Sequence, residues 1–190
     1  MTDDIELLAR LLGQRSLILV GMMGAGKSSV GRRLADRLGF PFVDTDRAIE
    51  DAARMSVAEI FCALGEARFR KAEARLVARI LATPRQVVAL GGGAFVDPDT
   101  RRIARAAGLT LWLDVEVELL AERVRRRNTR PLLVNVDLET TLQALLRARR
   151  PAYSEADLRI LSGQQPHAAP VEHICRELIR FCESGANRPL

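Results

Sequence analysis

Residues 21–28 read Gly-Met-Met-Gly-Ala-Gly-Lys-Ser, the spacing G-x-x-x-x-G-K-[ST]. Phosphate oxygens need many donors within a small radius. Glycines let a backbone curl until successive N–H groups point inward, and a following helix adds the positive end of its dipole. Gly24, Ala25, Gly26, Lys27, Ser28 and Ser29 are therefore the expected cradle of a nucleoside triphosphate. Lys27 would reach the β- and γ-phosphates, and the Ser28 hydroxyl would ligate Mg²⁺. With glycine at about 7% of ordinary sequence, a chance match in a chain of this length arises roughly once in a hundred.

Phe42-Val-Asp44-Thr-Asp46 follows the cradle closely and offers two carboxylates at the end of an apolar run. Phosphoryl transfer to an alcohol needs one carboxylate to help hold Mg²⁺ and another to orient the acceptor hydroxyl and take its proton. Two residues apart on an extended chain, Asp44 and Asp46 would point broadly the same way. The alternative is that Asp46 caps a helix entering Ala48-Ile49. The guanine signature N-K-x-D is absent, and the chain is too short to add a mechanical domain. A small kinase fits these features better than a switch GTPase or a motor.

Composition narrows the setting. The 190 residues suit one domain with a buried core, and 48% hydrophobic with 28% charged is ordinary for a globular protein. No apolar run approaches the ~20 residues of a membrane span, and the acidic start is not that of a signal peptide, so the cytoplasm is expected. Three cysteines, Cys62, Cys175 and Cys182, cannot all pair and read as reduced thiols. The formal charge is +5, and of 29 basic residues only Lys27 and Lys71 are lysine, leaving 27 arginines. Lysine is kept at Lys27, where a compact, flexible ammonium serves better than a planar fork. The arginines of 123–130 could bind nucleic acid, but no aromatics interleave them, and a cover over a triphosphate accounts for the same charge.

These residues need elements to position them. Ser16–Val20 is a continuous apolar run suited to a strand buried on both faces, and Val30–Leu38 has helical spacing up to Gly39. Further strands are expected at 41–43, 86–90, 109–113 and 158–161. Helices are expected at 5–12, 66–81, 101–107, 116–126, 138–150 and 171–182, and Ser56-x-x-Glu59 reads as a capping box opening another. Strands alternating with helices imply βαβ units and a parallel sheet covered on both sides. Ligands of such sheets lie at the carboxyl ends of the strands. Residues 21–28, 44–46 and 91–93 all fall there and should meet.

The block from Gly21 to Asp46 resembles the opening of shikimate kinases. So do Gly65-Glu66-x-x-Phe69-Arg70-x-x-Glu73, Gly91-Gly92-Gly93-Ala94, Asn128-Thr-Arg130-Pro-Leu-Leu133 and Arg149-x-Pro151-x-Tyr153, in the same order. The resemblance implies an α/β three-layer sandwich with a five-stranded parallel sheet of the nucleoside monophosphate kinase type. It implies one domain, with an extension over 1–15, a substrate-binding helical region over about 46–82 and a lid over about 127–136. It also implies transfer of the γ-phosphoryl of ATP to the 3-hydroxyl of shikimate, with Mg²⁺. Carried over, Asp46 contacts shikimate and is the base, and Asp44 supports Mg²⁺. Arg70 and Arg149 clamp the shikimate carboxylate, Glu73 holds Arg70 or the surroundings of Asp46 in register, and Gly91, Gly92 and Gly93 admit the substrate. Arg130 meets the γ-phosphate, Arg126 lies near the nucleotide, and Gln164 or Gln165 lines the adenine. Arg123, Arg125, Arg127, Arg147 and Arg150 are expected on the solvated surface. A monomer acting on small molecules, with no nucleic-acid or membrane partner, is expected. A gluconate-type sugar-acid kinase and a catalytically silent ATP-binding regulator are the rival readings.

Overall fold

A computed structural model describes residues 2–127, 137–162 and 169–185. Its central strand, β1 (Ser16–Val20), is buried at every residue, as a strand covered on both faces must be. It pairs in parallel with β3 (Val87–Ala89) on one side and β4 (Gly108–Val115) on the other. The edges are β2 (Phe42–Asp44) beside β3 and β5 (Leu158–Ser162) beside β4, giving the order β2-β3-β1-β4-β5, parallel throughout. Because β1 has neighbours reached by connections running in opposite directions, a crevice opens above its carboxyl end. The Gly21–Ser28 loop fills that position.

The helices are α1 (Thr2–Leu12), α2 (Lys27–Leu38), α3 (Thr45–Ala53), α4 (Val57–Leu64) and α5 (Glu66–Leu81), then α6 (Pro98–Ala107), α7 (Val117–Arg127), α8 (Leu138–Tyr153) and α9 (Ala169–Glu183). Their ends follow capping chemistry. Gly39 closes α2 in the left-handed conformation, with its N–H on Ala35 O. Ser56 and Glu59 form the reciprocal capping box at α4. Helix α6 starts earlier than its apolar spacing suggests, because Asp97 accepts from Thr100 N–H and Pro98 takes the first helical position. Helix α8 runs past Arg150 to Tyr153, with Pro151, which has no backbone N–H to give, inside its last turn.

Two findings go beyond the sequence reading. Residues 45–53 form the helix that the sequence offered only as the alternative reading of Asp46, and it starts directly at the end of β2. A 3-10 turn, Ala94–Val96, follows the triple glycine. The amino-terminal helix packs against α9: Leu8, Leu12, Val171, Ile174, Cys175 and Leu178 are buried in one apolar core with the strands. No helix among the described residues is long and apolar enough to cross a membrane.

Candidate active site

The loop after β1 has the curled backbone its glycines predict. Gly24 and Gly26 have φ of 79° and 92°, a region that costs residues with a Cβ, and Gly26 caps α2. Lys27 folds over the loop, donating from Nζ to Gly21 O at 2.9 Å and Met22 O at 3.0 Å. Ser28 Oγ donates to Asp44 Oδ2 at 2.5 Å. The cradle and the end of β2 therefore meet through a hydroxyl and a carboxylate.

Asp44 and Asp46 are not the extended pair that their spacing suggests. Thr45 is already helical, so Asp44 is the cap of α3, its Oδ1 accepting from Asp46 N–H (3.1 Å) and Arg47 N–H (3.4 Å). The capping carboxylate is Asp44, where the alternative reading had Asp46. Asp46 sits in the first turn, with Oδ1 against Gly91. Between them, fully buried Thr45 accepts from Gly91 N–H at 2.8 Å, tying the start of α3 to the triple glycine.

The triple glycine is crowded by side chains that a larger residue would displace. A Cβ on Gly91 would fall 2.8 Å from Glu73 Oε1, and one on Gly93 would fall 2.5 Å from Arg70 Nη2. A Cβ on Gly92 would come 3.4 Å from Met23 N, so this loop also abuts the phosphate cradle. Arg149 Nη1 donates to Gly92 O at 3.1 Å, and the buried Tyr153 hydroxyl donates to the same oxygen. Arg70 donates to Glu73 Oε2 at 2.6 Å and lies over the rings of Phe61 and Phe69. Glu73 is 2% exposed, and burial pushes its carboxyl above the usual range, the Arg70 hydrogen bond opposing that shift. Burial raises the Tyr153 phenol as well. The result is a polar cluster of two guanidinium groups, two carboxylates and glycine backbone, next to a phosphate loop.

The family model for shikimate kinase matches residues 23–183. The chain belongs to the shikimate kinase family. A shikimate kinase of Rhizobium meliloti (strain 1021) is 47% identical over 165 residues, covering 87% of this chain and 86% of the relative. A solved structure, the Acinetobacter baumannii shikimate kinase in complex with shikimate, superposes with a TM-score of 0.85 at 33% identity, covering 91% of this chain and 97% of that one. A gluconokinase from Sinorhizobium meliloti 1021 covers 90% of this chain and 95% of its own with a TM-score of 0.59 at 21% identity, a likeness of fold alone.

Of the residues the family resemblance assigns to the site, the structure brings together Gly24, Gly26, Lys27, Ser28, Asp44, Asp46, Arg70, Glu73, Gly91 to Gly93 and Arg149. Arg130, Gln164 and Gln165 lie outside the described residues. On α7, Arg126 is 77% exposed and pairs with Glu122, whereas Arg123 donates to Gly24 O at 3.4 Å. Arg123, expected on the solvated surface, stands on the phosphate loop. Helical spacing could have found it: Arg123 adjoins Leu120 and Val124, which press on Gly24. Thr45 and Tyr153 were also missed as site residues, although both sit inside the motif blocks. Trp112 is buried core, with Arg150 and Arg159 over its ring.

Proposed function

We propose that this chain is a shikimate kinase, transferring the γ-phosphoryl of ATP to the 3-hydroxyl of shikimate to give 3-phosphoshikimate and ADP, on the route to chorismate and the aromatic amino acids. One observation carries the reading: the Arg70 and Arg149 guanidinium groups converge on the triple glycine, which abuts the Lys27 loop. Forked donors suit a carboxylate, and the neighbouring cradle suits a triphosphate.

In this reading Asp46 accepts the proton of the attacking hydroxyl, and Lys27 turns from the Gly21 and Met22 carbonyls to the phosphates. Arg70 and Arg149 hold the substrate carboxylate, and the backbone N–H groups of Gly92 and Gly93, which have no acceptor among the described residues, face its oxygens. Glu73 keeps Arg70 aimed. Arg123 takes the nucleotide-side position given above to Arg126, while Arg130 and Gln165 keep their family roles at the γ-phosphate and the adenine. The donor pair Ser28 and Asp44 is all oxygen, which fits Mg²⁺. Among the described residues no group of three or more His, Cys, Asp or Glu could hold a metal, which suits an ion carried largely by substrate phosphates. When bound, Mg²⁺ would neutralise charge on the phosphates. The protein would act as a cytoplasmic monomer.

ADP release measured with ATP and shikimate, gluconate or a nucleoside monophosphate tests the assignment. Shikimate should stimulate release far above the other acceptors; release that shikimate does not stimulate rejects it.

A further inference from the structure

The three carbonyls of the triple glycine are all engaged. Gly91 O accepts from Ala94 N–H at 3.0 Å and Gly93 O from Val96 N–H at 3.1 Å, the bonds that wind the 3-10 turn. Gly92 O takes Arg149 and Tyr153. The carbonyls at the other end of the turn accept from one arginine. Arg101, on α6, donates from Nη1 to Phe95 O at 2.9 Å and Val96 O at 3.0 Å, while its Nε lies 3.0 Å from Glu155 Oε2. Arg105 reaches the same Glu155 oxygen at 3.5 Å.

Carbonyls at the end of a helical turn lack intrahelical donors, and a cation there satisfies them and opposes the local dipole. The Arg101 side chain is only 15% exposed, held by charge-assisted bonds to the turn, while Glu155 stands half-exposed on its outer side. Glu155 stands two residues beyond α8, the helix that carries Arg149 and Tyr153. The contacts therefore close a ring. It runs from the triple glycine through the 3-10 turn to Arg101, then to Glu155 and the end of α8, and back through Arg149 and Tyr153 to Gly92.

We propose that Arg101, paired with Glu155, is a positioning residue for the acceptor site, fixing the glycine N–H groups and the Arg149 guanidinium in one register. It acts through the loop and touches no substrate. The inference rests on the assignment of that site to shikimate.

A brace that served stability alone would lower Tm and leave both substrates equally well bound. A positioning residue separates them. Arg101→Gln should raise the shikimate KM about 10-fold, within the range of coupling through packed networks, and leave the ATP KM within about twofold. Glu155→Gln should move the shikimate KM in the same direction by less, and Arg101→Lys should recover part of the loss. A second readout needs no substrate. In the folded Arg101→Gln protein, hydrogen exchange of residues 91–96 should accelerate while residues 21–28 stay unchanged. Equal rises in both KM values, or unchanged exchange across 91–96, would overturn the proposal. A wild-type protein that ignores shikimate would sink the substrate assignment, and the exchange experiment would still decide the brace.

Discussion

Asp44 and Asp46 flank one buried threonine, and the helix that begins between them sends them to different partners. Asp44 is committed to α3 backbone donors and the Ser28 hydroxyl, on the side of the cradle where the proposed reading puts Mg²⁺. Asp46 lies against Gly91, on the side proposed to take the acceptor. Asp46→Asn should therefore leave ATP affinity within about twofold while kcat falls at least about 100-fold, the usual scale of general-base help. Nucleotide titration beside single-turnover kinetics checks this, and an unchanged kcat removes Asp46 from the chemistry. Glu73 gives a pH test. Its folded pKa is raised by burial, so the native state holds this proton more tightly than the unfolded chain does. Its contribution to stability is then full below the ordinary glutamate range and is lost as pH rises through the raised value. Glu73→Gln cannot lose a proton. Thermal unfolding of both proteins from pH 4 to 8 should show the Tm of the variant minus that of wild type rising with pH; a difference that falls as pH rises contradicts the assigned shift.

At the scale of elements, helix α2 approaches the sheet at Gly31, where a Cβ would fall 2.6 Å from both Leu19 Cδ1 and Phe42 Cε2. Helix propensity favours Gly31→Ala by about 1 kcal/mol, while overpacking a tight core contact costs about 1–3 kcal/mol. Overpacking should win. Urea unfolding should give a lower midpoint at unchanged slope, and a raised midpoint would mean that the helix shifts freely on the sheet. The same elements show what a sequence discloses. Ser16–Val20 and Glu66–Leu81 were legible because continuous apolar runs and 3.6-residue spacing map directly onto burial. Gly39 and the Ser56–Glu59 box were legible because caps are local chemistry. The Asp44–Asp46 geometry was not. Whether Thr45 continues the strand or opens a helix is decided by its tertiary bond to Gly91, 46 residues away in sequence. Nor could a count of arginines separate Arg123 from Arg126, since that depends on which face of α7 meets the phosphate loop. The 3-10 turn after the triple glycine has no pattern of its own, and Arg101 gains its meaning only once that turn exists.

For the whole molecule, one sheet carries two helical faces with different duties. Helices α3, α5 and α8 carry the side chains that crowd the triple glycine, whereas α1 and α9 pack on each other and on α2. Leu8 and Leu12 are buried at that α1–α9 contact, and Cys175 and Cys182 lie buried on α9, their thiols pushed up by burial. Cys62 is exposed. A thiol reagent such as Ellman's should therefore titrate one cysteine quickly and two slowly, the slow pair reacting only through opening of the α1–α9 contact. Truncating a buried leucine costs about 2–5 kcal/mol, so Leu8→Ala should populate the opened state at least about 30-fold more often and accelerate the slow phase accordingly. Because neither helix carries those side chains, the KM for each substrate should stay within about twofold. An unmoved slow phase would mean that α1 does not shield the thiols. A shikimate KM that rises with thiol reactivity would mean that the amino-terminal helix is coupled to the acceptor site through α2.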